Sequence, residues 1–375
     1  MRSSLAILTV FVFLFNTAFI HHSFSDHKTL AIGADAPDFN LKSVDGKFYS
    51  LSSFKNAEVL VVVFTCNHCP TAQAYEDRLI KLTSDYAKKN VVVVAIMPND
   101  PTCLRLDELD FSDIGDSYEE MKIRATEKKF NFPYLYDGDK EIVSSAYGPV
   151  ATPHVFVFDK KRKLCYEGRV DDMESPFKTP KSTDARNAID AVLNNQVVPV
   201  KTTKVFGCSV KWSEKKDLVE QVRNAWAKEP VNLEIIRLDS LVNLIKNPSD
   251  KLRLIHYWTP RSAACVKEFK EFVTINRMYR DRDFEFISIC IDSSDDKDIT
   301  LRFLKSEQAS NSNYLLKIHD KNELIRQTGQ TWKGVLPYTL LVEPGGKIVY
   351  ANEGVIDPAK LKWIIVNNHL IGRYP

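Results

Sequence analysis

The 375-residue sequence predicts an α/β protein of two tandem folds, each a central mixed β-sheet flanked by helices. Three observations predict it. Short apolar, β-branched runs alternate with amphipathic helical stretches, as in a sheet covered by helices. Each half ends on a hairpin signal, Asp159-Lys160-Lys161-Arg162 in the first and Pro344-Gly345-Gly346-Lys347 in the second, and this makes the sheets mixed rather than parallel. The plan also repeats. Phe132-Pro133-Tyr134-Leu135-Tyr136-Asp137 is paralleled by Leu315-Leu316-Lys317-Ile318-His319-Asp320, and Ala151-Thr152-Pro153-His154-Val155 by Val335-Leu336-Pro337-Tyr338-Thr339, a degenerate internal duplication.

Residues 1–25 read as a secretory signal peptide. Arg2 precedes an apolar run, residues 5–19, which is broken at Asn16 and shorter than the ~20 apolar residues a bilayer requires. Ser23 and Ser25 supply small residues for cleavage after Ser25. The chain from Asp26 onward is therefore expected outside the cytoplasm (periplasmic, in the cell envelope or secreted), with no stable membrane insertion after cleavage.

Residues 26–199 form the first expected domain. Residues 59–64 are a strand buried on both faces, and Thr65-Cys66-Asn67-His68-Cys69-Pro70 follows directly. Tyr75, Leu79, Leu82 and Tyr86 then mark the apolar face of a helix. Residues 91–97 are a second buried strand. Residues 99–116 are polar and acidic and read as an irregular, solvated insertion; their acidic run lacks the spacing of a calcium loop. A helix (118–129), three short strands (134–136, 155–158, 164–167) and a closing helix (185–193) complete the domain. Residues 200–230 read as a connector with a helical stretch at 213–228. The second domain, 231–375, repeats the order: strand 252–258, turn 259–265, a helix begun by Val266, Phe269 and Val273, and strand 284–291.

Composition narrows the function. Lys plus Arg total 51 against 49 for Asp plus Glu, a net charge of +2, which gives a polyanion such as nucleic acid nothing to bind. The hydrophobic fraction of 44% supports domains that fold on their cores, so the seven cysteines are not read as a disulfide scaffold. Cys165 and Cys290 lie in strand patterns and read as buried, Cys103 lies in the insertion and reads as exposed, and Cys208 is a third redox thiol or a partner for Cys103.

The chemistry concentrates at Cys66-Asn67-His68-Cys69. A helix N-terminus offers free N–H groups and the positive end of its dipole. That position lowers a thiol pKa and activates the first cysteine, Cys66. Cys69, a turn further on, is close enough to close a disulfide. A protonated His68 favours the Cys66 thiolate and makes the disulfide more oxidising. The same spacing also fits half a zinc site or a structural disulfide. Zinc needs two more ligands, and no second Cys-x-x-Cys or His-x-x-x-His exists, so the redox reading leads and no metal or cofactor is expected. Pro153, read by itself, is a strand-edge proline.

The first half resembles the thioredoxin-like redoxins, the group containing the thiol-specific antioxidant and alkyl hydroperoxide reductase relatives. The matching residues are Ala34-Asp35-Ala36-Pro37-Asp38-Phe39, Cys66-Asn67-His68-Cys69-Pro70, Tyr75-Glu76-Asp77-Arg78-Leu79, Thr152-Pro153-His154 and Gly207-Cys208-Ser209-Val210-Lys211-Trp212. The resemblance implies a thioredoxin-like fold, Cys66 as nucleophile, Cys69 as resolving thiol, and a cis Thr152–Pro153 bond shaping a substrate groove. It departs from peroxiredoxins, whose site is Pro-x-x-x-Thr-x-x-Cys: Val59 and Val63 stand at the proline and threonine positions. The second half resembles the envelope thioredoxin-like (TlpA-like) proteins, but Ser262 replaces the attacking cysteine. Ser262, Cys265 and Pro337 are the remnants of a site, and a serine with no nearby base cannot run thiol exchange.

The sequence thus predicts a thiol–disulfide oxidoreductase whose partners are substrate disulfide proteins and a recycling redox partner. His68 points toward an oxidant, whereas Thr152 before the proline resembles reducing members. One alternative is a peroxidase using Cys66. Another is an envelope metal-delivery module holding copper(I) through Cys66, Cys69 and His68 or His154.

Overall fold

The computed structural model describes residues 27–292, 296–317, 321–328 and 332–375. The signal-peptide reading of residues 1–25, and Ile318-His319-Asp320 in the second half, lie outside the described residues.

The first fold runs β1 (Asn40–Ser43), β2 (Phe48–Ser50), β3 (Val59–Phe64), α1 (Pro70–Tyr86), β4 (Val91–Met97), α2 (Tyr118–Lys128), β5 (Tyr134–Tyr136), α3 (Ile142–Tyr147), β6 (Ala151–Thr152), β7 (His154–Phe158), β8 (Leu164–Gly168) and α4 (Asp184–Leu193). Its seven-stranded sheet has the order β2-β1-β5-β4-β3-β7-β8. All six residues of β3 are buried, as expected of a central strand covered by helices on both faces. Val59, Val61 and Val63 face the cluster of Tyr75, Leu79 and Leu82 from α1, and Leu60, Val62 and Phe64 face Phe39, Tyr147 and Phe156 on the other side.

After β9 (Cys208–Ser209) and α5 (Lys216–Trp226), the second fold runs β10 (Glu234–Ile236), α6 (Leu238–Lys246), β11 (Leu252–Trp258), α7 (Ala263–Tyr279), β12 (Phe284–Cys290), α8 (Lys297–Ser306), β13 (Ser312–Leu316), α9 (Lys321–Thr328), β14 (Tyr338–Glu343), β15 (Lys347–Glu353) and α10 (Pro358–Val366). Its sheet has the order β10-β13-β12-β11-β14-β15. In both sheets two parallel pairings lead to the central strand, which is followed by an antiparallel strand and its hairpin partner. The duplication is thus one of topology, and both folds are mixed sheets flanked by helices. The Thr152–Pro153 and Leu336–Pro337 bonds, at equivalent places before β7 and β14, are both cis.

The insertion differs most from its sequence reading. Asn99, Asp100, Ser112, Asp113 and Asp116 are buried, so this is not a solvated loop. Two short 3-10 turns, Pro101–Cys103 and Leu106–Leu109, fold it into a wedge between the halves. Leu104 and Leu109 join the apolar cluster of Phe272, Ile275, Met278 and Tyr279 in the second fold. Around them Tyr279 donates to the Ser112 carbonyl at 2.7 Å, Arg282 lies 3.8 Å over the Phe111 ring, and Arg373 pairs with Asp113 at 2.7 Å. Acidic residues can be buried there because each finds donors. The same wedge buries Cys103, expected to be exposed, and turns its thiol toward the Ser213 carbonyl rather than toward Cys208. Cys290 is buried as expected; Cys165, on edge strand β8, is only half-buried.

The first part of the 200–230 stretch is built into the first fold. Thr202 bridges to Glu167, and β9 pairs antiparallel with β6. The turn expected over 259–265 is shorter, because α7 already starts at Ala263.

One buried ion pair braces the active face of the first fold. Arg124 on α2 donates Nε and Nη2 to the two carboxylate oxygens of Glu76 on α1, at 2.6 and 2.8 Å, with both side chains almost fully enclosed. Arg124→Ala leaves a buried carboxylate without its partner and is expected to cost about 3–5 kcal/mol, read from the denaturant midpoint. A loss under about 1 kcal/mol would mean that Glu76 finds water instead.

Candidate active site

Strand β3 ends at Phe64 and releases the chain into residues 65–69 at the edge of the sheet. Backbone groups there must find partners, and one buried side chain supplies most of them. Asp116 Oδ1 accepts the N–H groups of Asn67 (2.9 Å) and His68 (3.2 Å). Asp116 Oδ2 meets His68 Nδ1 at 2.6 Å and accepts from Asn99 Nδ2 at 2.7 Å. Asn67 also donates to the Gly115 carbonyl and accepts from the Tyr134 hydroxyl. His68 and Asp116 are 1% and 0% exposed. Burial alone would depress the His68 imidazole, but the Asp116 charge and hydrogen bond outweigh it and raise it above its ordinary value. Burial would likewise raise the Asp116 carboxyl, yet the His68 charge and the surrounding donors hold it below. Both directions describe one ionised pair.

Three thiols meet beside this pair. Cys66 Sγ shares a hydrogen bond with Thr152 Oγ1 at 3.0 Å, and Cys69 Sγ lies 3.3 Å from the Thr152 carbonyl oxygen. The backbone N–H of Cys208 donates to Cys69 Sγ at 3.2 Å. Thr152, Pro153, His68 and both cysteines of the motif are thus brought together as the sequence predicts. The charge distribution is not as predicted. Helix α1 begins at Pro70 with Cys69 as its N-cap, so the helix N-terminus serves Cys69 rather than Cys66. Burial works against a Cys69 thiolate, but hydrogen bonds from the Cys208 and Cys66 thiols, the His68 charge and the Ala72 N–H hold its pKa well below the usual thiol range. Burial, the Cys69 sulfur and the Asp116 charge push Cys66 well above it. The two shifts thus run in opposite directions, Cys69 down and Cys66 up.

His154 does not join the cluster. Its Nδ1 accepts from the Val150 N–H and its Nε2 meets Glu167 at 2.9 Å, so both ring nitrogens are engaged elsewhere. Sequence reasoning missed Asp116 and Asn99, which lie 50 and 33 residues from Cys66 in a stretch read as solvated. The signal available was the Asn67-His68 pair itself, two polar residues inside a buried motif that need a partner.

In the second fold the remnants serve structure. Ser262 is the N-cap of α7, its hydroxyl accepting from the Cys265 N–H at 3.4 Å. Cys265 is fully buried, its thiol raised by burial, in a cluster with Trp258 and Phe269 against which Leu336, the neighbour of Pro337, packs. Glu268 is pushed up to about 7 and His256 down to about 3, both by burial; their 3.8 Å contact is therefore not an ion pair at neutral pH. A cleft of about 770 Å³ lies between the halves, lined by Arg105, Trp226, Lys270 and Arg277, but it holds none of the thiols.

Residues 32–167 match the family model described as the AhpC/TSA family. This segment is similar to the AhpC/TSA family. It spans roughly a third of the chain and carries Cys66, Cys69, Asp116 and Pro153. The thioredoxin-like protein YneN of Bacillus subtilis (strain 168) is 25% identical over 158 residues, covering 42% of this chain and 79% of that protein. The thiol-disulfide oxidoreductase ResA of Bacillus cereus is 27% identical over 146 residues, covering 38% and 73%. Among solved structures, a hypothetical protein of Sinorhizobium meliloti 1021 is 32% identical with a TM-score of 0.44, covering 50% of this chain and 97% of that one. An uncharacterized conserved protein from Geobacillus kaustophilus is 36% identical with a TM-score of 0.43, covering 49% and 93%. The protein is thus related, distantly, to the thiol–disulfide oxidoreductases and redoxins.

The His68–Asp116 pair sets a pH dependence. A raised His68 contributes stability that is complete below the ordinary histidine value and is lost as pH rises through its folded value. A lowered Asp116 contributes stability present above the ordinary aspartate value and lost as pH falls through its folded value. The pair is therefore expected to stabilise fully between about pH 4 and 6.5 and less at higher pH. Thermal melts of the wild type and Asp116→Asn across pH 4–9 should differ most inside that window; a pH-independent difference would mean the pair is not ionised.

Proposed function

We propose that the protein is a thiol–disulfide oxidoreductase that exchanges two electrons between the Cys66/Cys69 dithiol and the disulfides of partner proteins, recycled by a second redox partner. The observation that carries this reading is the division of labour between the two sulfurs. Both converge on one residue, Cys66 Sγ meeting Thr152 Oγ1 at 3.0 Å and Cys69 Sγ the Thr152 carbonyl oxygen at 3.3 Å, while the surroundings lower the Cys69 thiol pKa and raise that of Cys66. A thiolate attacks a disulfide, a mixed disulfide forms, and the second thiol displaces it. The partner disulfide gains two electrons and two protons, and Cys66 and Cys69 close a disulfide. The roles are those the resemblance implies, nucleophile at Cys66 and resolving thiol at Cys69, and the donors around Cys69 ease its deprotonation when it resolves the mixed disulfide. His68 tunes the pair through its charge, Thr152 holds the Cys66 thiol, and Pro153 shapes the groove beside them. Ser262, Cys265 and Pro337 take no part in the exchange, and no cofactor is needed. We place the protein outside the cytoplasm, where residues 1–25 would direct it; no helix among the described residues is long and apolar enough to cross a membrane.

A second reading has one observation behind it. Cys66, His68 and Asp116 present ligand atoms within 4.8 Å of one another, which would suit a metal-delivery module. Asp116 already accepts from Asn67, His68 and Asn99, so its oxygens are committed, and the dithiol reading stands first. Peroxide reduction ranks below it, because Val59 and Val63 replace the proline and threonine of the peroxidatic motif.

The test is the reduction potential of the Cys66–Cys69 pair in the full chain, equilibrated against glutathione buffers with the other cysteines followed by mass spectrometry. Because His68 stabilises the Cys69 thiolate, His68→Ala is expected to make the pair more reducing, by roughly 30 mV for each ten-fold change in the exchange constant. A pair that never equilibrates with glutathione, in a protein that instead binds one copper(I) through Cys66, would overturn the redox reading.

A further inference from the structure

The edge beside the motif, where a substrate would be expected to dock, is taken by the chain itself. Strand β9 runs antiparallel along β6, with Ala151 opposite Ser209 and Thr152 opposite Cys208. Gly207 sits so tightly on the Thr152 carbonyl that a Cβ there would come within 2.1 Å of its oxygen. The strap is fastened beyond as well: the Lys211 N–H donates to Asn99 Oδ1 (2.9 Å), the Lys211 carbonyl accepts from the Asp100 N–H (2.9 Å), and Lys211 Nζ pairs with Glu108 at 2.7 Å. The consequence is access. Cys66 is 3% and Cys69 0% exposed, whereas Cys208, in contact with Cys69 through both its N–H and its thiol, is the one partly exposed residue of the three.

Resting on the redox reading of the Cys66/Cys69 pair, we propose that Cys208 is the third redox thiol of this site and the sulfur that meets outside partners, carrying electrons between them and the buried pair. In the oxidised protein the Cys208 thiolate attacks Cys69 Sγ. The Cys69–Cys208 bond forms, the Cys66–Cys69 bond breaks, and Cys66 leaves with the electron pair and takes up the proton given off by Cys208. No electrons enter or leave in this step; the disulfide moves outward. A dithiol protein, the reductant, then attacks Cys208 Sγ. Cys69 departs as the thiolate, the partner's second thiol closes the partner's own disulfide, and Cys208 is released reduced. Run backward, the same steps reduce a partner's disulfide and leave the protein oxidised. The donors around Cys69 make its sulfur a good leaving group, which speeds its departure when the partner attacks Cys208.

The experiment uses the full chain. Reduced wild type, Cys66→Ser and Cys208→Ser are treated with one equivalent of oxidised glutathione, alkylated and mapped by peptide mass spectrometry, and exchange rates with a reduced dithiol protein such as thioredoxin are followed alongside. A Cys69–Cys208 disulfide is expected in Cys66→Ser. Cys208→Ser is expected to form the Cys66–Cys69 disulfide while its exchange with the dithiol protein slows about ten-fold or more, for want of an accessible sulfur. Absence of a Cys69–Cys208 linkage in Cys66→Ser, together with wild-type exchange rates in Cys208→Ser, would overturn the relay and leave the Cys66/Cys69 reading standing. If neither pair of sulfurs oxidises in the wild type, the redox reading itself fails and the relay falls with it. Cys208→Ala, with circular dichroism for each variant, separates loss of the thiol from loss of the strap.

Discussion

A carboxylate buried to complete exclusion of solvent survives only if nearly every lone pair is met, and the active face of this protein is organised around meeting those of Asp116. Two backbone N–H groups, an imidazole and a carboxamide converge on it. Because three of these four belong to Asn67 and His68, between Cys66 and Cys69, the carboxylate fixes the shape of the thiol loop. Because the carboxamide is that of Asn99, whose oxygen takes the Lys211 N–H, it also fixes the strap that carries Cys208. The three sulfurs have their relative positions through one anion.

Much of the fold was legible. The apolar run at β3, the four-three-four spacing of α1 and the two hairpin turns each encode their element locally, through burial on two faces, an apolar stripe and turn chemistry. The duplication was legible because sheet order follows strand order. Strands β1, β2 and the short β9 were missed because they have no apolar run of their own; β1 is held between β2 and β5, β2 lies at the sheet edge, and β9 pairs only with β6.

The motif was legible, and its surroundings were not. Cys66, Cys69, Thr152 and Pro153 meet where expected, since a strand-to-helix turn and the strand beside it are close in any such sheet. The misreading of residues 99–116 came from treating polarity as exposure. Asp113 and Asp116 are buried because Arg373 and His68 lie across from them, and such partners come from 260 and 48 residues away. The start of the helix differs by a few residues from its reading: it begins at Pro70, with Cys69 as N-cap. In the second fold the same location is held by Ser262, whose hydroxyl caps the helix, so the turn kept its geometry after the chemistry left it.

The wedge at residues 99–116 bears on how such a chain can be assembled from parts. Its apolar side chains, Leu104 and Leu109, complete the second fold's core, while its last residue completes the first fold's thiol site. A hinge between independent units would let either be swapped for a homologue. Here a recombination that exchanges one half would strand two leucines in water on one side and leave Tyr279 and Arg282 without their carbonyl partners on the other. The two folds are therefore heritable as one module, with the second serving as the wall against which the first is built.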